Sequence, residues 1–152
     1  MAEATTRIAT CRCGQLRATC VGDPVRVSVC HCLDCQKRSG SAFAVQARWP
    51  DDQVITEGEF RTWQRTADSG HIAEYKFCPI CGSTVTYVIE GWEGVTAVPV
   101  GAFADLSFPA PKFSVYEGRK HNWVDILGED VRHSVTPSSK RKPGLSLGER
   151  KS

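Results

Sequence analysis

Residues 77–83 read FCPICGS, and the fold turns on what that short stretch requires. Two cysteines three positions apart, Cys78 and Cys81, wrap a tight turn whose backbone N–H groups point at the sulfurs, and Gly82 permits the turn. Such a knuckle supplies two of the four ligands of a tetrahedral zinc site. The other two must come from elsewhere. Of the eight cysteines, seven fall in three short clusters: CRC at 11–13, CHCLDC at 30–35 and this CPIC.

Disulfides are not the expected use of these thiols. The N-terminal MAEATTRIAT has no apolar run resembling a secretory signal, and no later segment approaches membrane-spanning length. The expected location is cytoplasmic, where thiols stay reduced and clustered cysteines point to metal. The chain carries 19 Lys and Arg against 17 Asp and Glu, a formal +2. Residues 138–152 alone hold five cations and Glu149, a net +4, leaving about −2 for residues 1–137. The basic excess belongs to the tail, so the body shows no footprint for nucleic acid.

Spacing suggests how the thiols divide. Positions i and i+2 of an extended segment face one side, so Cys11 and Cys13 can reach a single ion at about 2.3 Å. With Cys78 and Cys81 they would close a four-thiolate site tying residue 11 to residue 81. A structural zinc of this kind is worth on the order of 10 kcal/mol. Cys30, Cys32 and Cys35 are left as a three-thiolate cap, and three protein ligands with a vacant fourth position mark a catalytic zinc. Spacing alone leaves a second pairing open, in which Cys11 and Cys13 join the middle cluster. His31, between two ligand candidates, faces the opposite side. Cys20, in step with Leu16 and Ala18, reads as a small buried hydrophobe.

The body alternates short strand-like runs with Gly, Pro and Asp. VRVSVC (25–30) has the period of a half-buried strand, SAFAVQARW (41–49) places Phe43, Val45, Ala47 and Trp49 on one face, and TVTYVI (84–89) does so with Val85, Tyr87 and Ile89. QLRATCVG, HIAEYKF, VTAVPV and KFSVY continue the pattern. Only LDCQKR after Cys32 and the stretch ADLS suggest helical turns. The expectation is a mainly β fold, a sandwich or complex β arrangement with few short helices. From about Thr136 the chain turns rich in Pro, Ser, Gly and Lys/Arg, so residues 136–152 read as a disordered basic tail.

Taken in order, CRCG (11–14), CHCLDCQKRSGSAFA (30–44), FCPICGS, VGAFADL (100–106) and EGRKHNWVDI (117–126) resemble the glutathione-dependent formaldehyde-activating enzyme family, whose domain centromere protein V shares. The resemblance runs from about residue 7 to residue 127, within an expected domain of 7–130. It implies a zinc-containing β fold of the Mss-four-like type and two zinc ions per chain. It also implies Cys11, Cys13, Cys78 and Cys81 around a structural zinc, and Cys30, Cys32 and Cys35 around a catalytic one. The family's activity joins glutathione to formaldehyde or runs the reverse, which is carbon–sulfur lyase chemistry. The implied partner is a small thiol such as glutathione, with no membrane and no nucleic acid.

Glutathione carries two carboxylates, for which Lys37, Arg38, Arg119, Lys120 and His121 are candidate partners. His121 is also a candidate proton donor. The plainer expectation makes Lys37, Arg38 and Lys120 solvated surface charges, and Phe43 and Trp123 core residues. Against the enzyme stands a second function class, a zinc-stabilised binding module without chemistry, and a third, a thiol-rich metal buffer.

Overall fold

The computed structural model describes residues 4–67 and 70–135, so the expected basic tail of 136–152 lies outside the described residues. Eleven strands appear among them: β1 (Thr6–Thr10), β2 (Arg17–Val21), β3 (Arg26–Cys30), β4 (Ala44–Pro50), β5 (Val54–Glu57), β6 (Arg61–Thr66), β7 (Ile72–Phe77), β8 (Thr84–Ile89), β9 (Val95–Pro99), β10 (Phe113–Val115) and β11 (Arg132–His133). One α-helix, α1 (Leu33–Ser39), follows β3. The fold is mainly β, as the turn-rich sequence requires. None of the described helices is long and apolar enough to cross a membrane.

The strands make two sheets. A small one has the order β1-β2-β5, and a large one runs β11-β10-β3-β4-β9-β8-β7-β6. Pairing is antiparallel except where β10 lies parallel to both β3 and β11. The core fills the space between the sheets, with Ala9, Leu16, Ala18 and Cys20 meeting Val27, Ala47, Trp49 and Val98. Trp49 is its largest member. Its indole N–H donates to the Gly22 carbonyl at 2.9 Å, and its ring lies 5.6 Å from that of Phe103. Cys20 is fully buried there beside Leu16 and Ala18, a small apolar filler.

Three strand-level expectations need correction. β3 is buried on both faces, because Arg26 and Ser28 are covered as well as Val27 and Val29. Phe113 lies 3.5 Å from the Arg26 guanidinium, and the Trp92 ring sits 4.3 Å from that of Arg48, closing the outer face with cation–π contacts. Val25 falls outside the strand and is half exposed. The β7–β8 pairing slips between Lys76 and Phe77 of β7, leaving Val85 of β8 unpaired, so the apolar set of β8 divides. Val85 packs between the sheets, while Tyr87 and Ile89 pack with Tyr75 on the outer face. ADLS is no helix; a 3-10 turn occupies Val100–Phe103 just before it.

The outer face of the large sheet carries a row of aromatic and cationic side chains. Cross-strand partners share a face, so the pairings place Trp63, Tyr75, Tyr87, Ala97, Arg48 and Arg26 in one row across six strands. Cys30 lies two residues beyond Ser28 and four beyond Arg26, on the same side. Thus the last residue of β3 shares a surface with two tyrosines and two arginines.

Truncating the core should separate packing from metal chemistry. Trp49→Ala should cost about 3–5 kcal/mol in urea unfolding. Cys20→Ala should cost roughly 1 kcal/mol and leave the metal content per chain unchanged.

Candidate metal centres

CRCG forms the turn between β1 and β2, and CPIC the turn between β7 and β8, so one hairpin end from each sheet comes together. Backbone geometry explains both turns. Gly14 N–H donates to the Cys11 carbonyl at 3.1 Å, and Gly82 N–H to the Cys78 carbonyl at 2.8 Å. Gly82 sits at φ 81°, a conformation that favours glycine. The sulfurs of Cys11, Cys13, Cys78 and Cys81 all lie within 4.8 Å of one another. Cys13 is 3.6 Å from Cys11 and 3.7 Å from Cys78. A tetrahedron with metal–sulfur bonds of ~2.3 Å has edges of about 3.8 Å, so this set fits a single metal ion.

Donors converge on these sulfurs from the surrounding backbone. Leu16 N–H reaches Cys11 Sγ at 3.3 Å and Ile80 N–H reaches Cys78 Sγ at 3.3 Å. The Ser83 and Cys13 N–H groups bring the Cys81 thiol down to about 5. Desolvation works against Cys78, but the Cys81 N–H and the Gln15 side chain hold it below the usual thiol range. At Cys13 the Gln15 N–H pulls down, yet desolvation and the neighbouring thiols win and push it up to about 11. Gln15 is a residue that sequence reading missed. Its Nε2 donates to Cys78 Sγ at 3.0 Å and to the Glu59 carbonyl at 2.7 Å, and its Oε1 accepts from Glu59 N–H at 2.9 Å.

The second group is Cys30, Cys32 and Cys35, again with sulfurs within 4.8 Å. Cys30 ends β3, Cys32 caps α1 and Cys35 lies in its first turn. The helix start shapes the group, because Cys35 N–H donates to Cys32 Sγ at 3.2 Å. Hydrogen bonds from the Cys30 and Cys35 thiols draw Cys32 down to about 3. Cys30 rises well above the usual value, since its proton is held against Cys32 and it is buried. At Cys35 the Cys30 thiol pulls down, but Cys32 and burial prevail and push it up to about 12. One thiolate thus gathers two protonated neighbours, a donor set suited to a soft cation that displaces both protons.

His31 turns away from this group. It is fully buried, its Nε2 is 2.9 Å from Ser114 Oγ, and its ring lies 6.0 Å from that of half-buried Phe43. Gln36 donates to the His31 and Arg119 carbonyls at 2.9 and 3.2 Å, and accepts from His121 Nε2 at 2.9 Å. That bond commits the Nε2 proton of exposed His121. Trp123 stacks beside it at 5.3 Å and is 71% exposed, so it is not a core residue.

Arg38 also departs from expectation. It is not a solvated charge: its guanidinium lies 4.9 Å from the Tyr87 ring and 5.7 Å from the Tyr75 ring. Its Nε and Nη2 are buried without a hydrogen-bond partner. Burial works against its charge, but Tyr87 and Cys35 more than compensate and raise its pKa. A cation beside Cys35 suits three thiolates around a divalent metal, a set with net charge of about −1. Lys37 and Arg119 are exposed and Lys120 is half-buried. Tyr75 and Tyr87 were legible as strand residues only; Ser114 and Gln36 carried no signal in sequence.

Residues 6–119 match the family described as glutathione-dependent formaldehyde-activating enzyme. The chain belongs to that family. Both of its cysteine groups could bind metal ions and suit zinc. Among solved structures, the crystal structure of a Rhodobacter sphaeroides protein is 18% identical, covering 66% of this chain and 90% of its own, with a TM-score of 0.49. No curated protein sequence matches the chain significantly.

The two centres should respond differently to loss of one sulfur. Cys78→Ser should lower Tm by more than about 10 °C. Cys30→Ser should stay folded and lose one metal equivalent, as measured by elemental analysis with circular dichroism. Gly58 tests the Gln15 clamp independently. It sits at φ 106°, and an added Cβ would stand 2.1 Å from the Gln15 carbonyl oxygen. Gly58→Ala should therefore cost at least about 2 kcal/mol and loosen metal at the four-sulfur centre first.

Proposed function

We propose that residues 7–130 form a zinc-dependent carbon–sulfur lyase acting on a thiol–aldehyde adduct, glutathione with formaldehyde or a related pair. Cys11, Cys13, Cys78 and Cys81 would hold a structural zinc, and Cys30, Cys32 and Cys35 a catalytic one. The observation that carries this is the three-sulfur group itself. His31, the one histidine within its sequence span, is turned onto Ser114, so the protein supplies three ligands there and no fourth among the described residues.

When bound at such a centre, zinc supplies an open position at which an incoming thiol loses its proton near neutral pH. The chain's own residues do the rest. The N–H groups at the start of α1 hold the Cys32 sulfur as a thiolate. Arg38 sets a positive charge beside Cys35. Burial raises both nearby phenols, Tyr87 to about 12, so each stays protonated and able to donate a hydrogen bond. In the forward direction the thiol sulfur bonds to the aldehyde carbon. The C=O π pair moves to oxygen, which takes up the proton that the thiol released. The reverse breaks the carbon–sulfur bond and returns thiol and aldehyde. Such chemistry belongs in a reducing cytoplasm.

Cobalt substitution tests it. Glutathione titrated into the cobalt-loaded protein should add sulfur-to-metal absorption at one of two sites, and Cys35→Ser should abolish that change. Glutathione-dependent consumption of formaldehyde, followed by NMR, should fall at least about 100-fold in the same variant. An unchanged cobalt spectrum would sink the enzyme and favour the binding module.

A further inference from the structure

Arg38 stands in the last turn of α1, three residues beyond Cys35 and on the same side of the helix. Two phenol rings lie against its guanidinium, Tyr87 at 4.9 Å and Tyr75 at 5.7 Å, and its Nε and Nη2 are buried with no hydrogen-bond partner. The one acid of α1, Asp34, is spent on Arg65 at 2.9 Å and on the Tyr75 hydroxyl at 3.4 Å. Arg38 thus has no carboxylate partner among the described residues. Aromatic faces attract a cation but carry no net charge to cancel it. The group whose charged form Arg38 does favour is Cys35, and Cys35 favours that of Arg38 in return.

A positive charge held this way restricts what the three sulfurs can accept. Three thiolates leave a net charge of about −1 around a divalent ion, about −2 around a monovalent ion and about zero around a trivalent one. With a divalent ion, Arg38 makes the assembly neutral. A trivalent ion cancels the thiolates by itself and leaves the guanidinium enclosed without a counter-charge, which costs stability. The four-sulfur junction differs in this respect. The groups that donate to its sulfurs, the Leu16 and Ile80 N–H groups and the Gln15 amide, are neutral.

We propose that Arg38 selects the valence of the ion at the three-sulfur centre: it is a fixed counter-charge that favours a divalent cation over a trivalent thiophile of the arsenite class. An arginine keeps its charge at every working pH, so the selection involves no titration. Tyr75 and Tyr87 keep the guanidinium in place, and Arg38 acts through Cys35 as a positioning residue. The inference rests on the metal part of the function proposed above and not on the lyase chemistry.

Cobalt and arsenite titrations separate charge from shape. Arsenite condenses with three thiols, forming three As–S bonds and releasing three waters, and the product is neutral. Arg38→Met keeps most of the side chain's bulk and removes its charge. In the full chain with zinc in the four-sulfur centre, it should weaken cobalt at the three-sulfur centre at least about tenfold, read from the sulfur-to-cobalt bands in competition with a chelator. Arsenite affinity in the same variant should hold or rise, and Arg38→Lys should recover the cobalt affinity. Equal losses for cobalt and arsenite would mean that Arg38 only shapes the site, and would overturn the proposal. So would cobalt affinity unchanged in Arg38→Met, or lost as far in Arg38→Lys. Should Arg38→Met not fold, Arg38→Gln takes its place in the same titrations. A chain that takes up cobalt at the four-sulfur centre alone would overturn both this inference and the catalytic metal. The expected valence preference in a chain whose cobalt spectrum ignores glutathione would support Arg38 as the selector and sink the lyase reading alone.

Discussion

Everything in this fold is arranged around the meeting of two hairpin turns that belong to different sheets. The β1–β2 and β7–β8 turns each present two sulfurs, and four sulfurs at tetrahedral spacing are costly to assemble without a cation to share. Backbone N–H groups and Gln15 offset part of that repulsion by donating to the sulfurs. The inter-sheet core runs directly up to this junction, since Cys11 and Cys78 are members of the same buried cluster as Leu16 and Trp49. Packing and ligand geometry are therefore one structure, not two.

The second sulfur group is built on a different principle. Its three members come from a strand end, a helix cap and a helix turn within six residues of chain, so it needs no distant segment to form. What distant segments provide is its setting. β10 supplies Ser114 for His31, and the central strands supply the tyrosines beside Arg38. Local sequence makes the donors, and topology makes the environment in which they act.

That division explains what could be read from the sequence. Cysteine spacing is a local pattern, and both groupings suggested by it are brought together in space. Strand alternation was legible for β2 and for the inward face of β4. It failed at β3 because an arginine, Arg26, buried under Trp92 and Phe113 does not look apolar in sequence. It failed at β8 because a one-residue slip is invisible to a period of two. Arg38 resembled any surface arginine, since the cross-strand placement of Tyr75 and Tyr87 is what half-buries it. Trp123 went the other way, an exposed indole beside the His121 ring.

The parallel pairing of β10 with β3 has a consequence for the order in which a newly made chain matures. The four-sulfur junction has all its residues once position 83 has emerged. Cys30, Cys32 and Cys35 are made much earlier, yet the strand that covers them and holds His31 ends at Val115. Through most of translation those three thiols have no roof, while the first junction can already close. The cysteines translated in the middle of the series thus gain their covering strand only after every residue of the four-sulfur junction has been made.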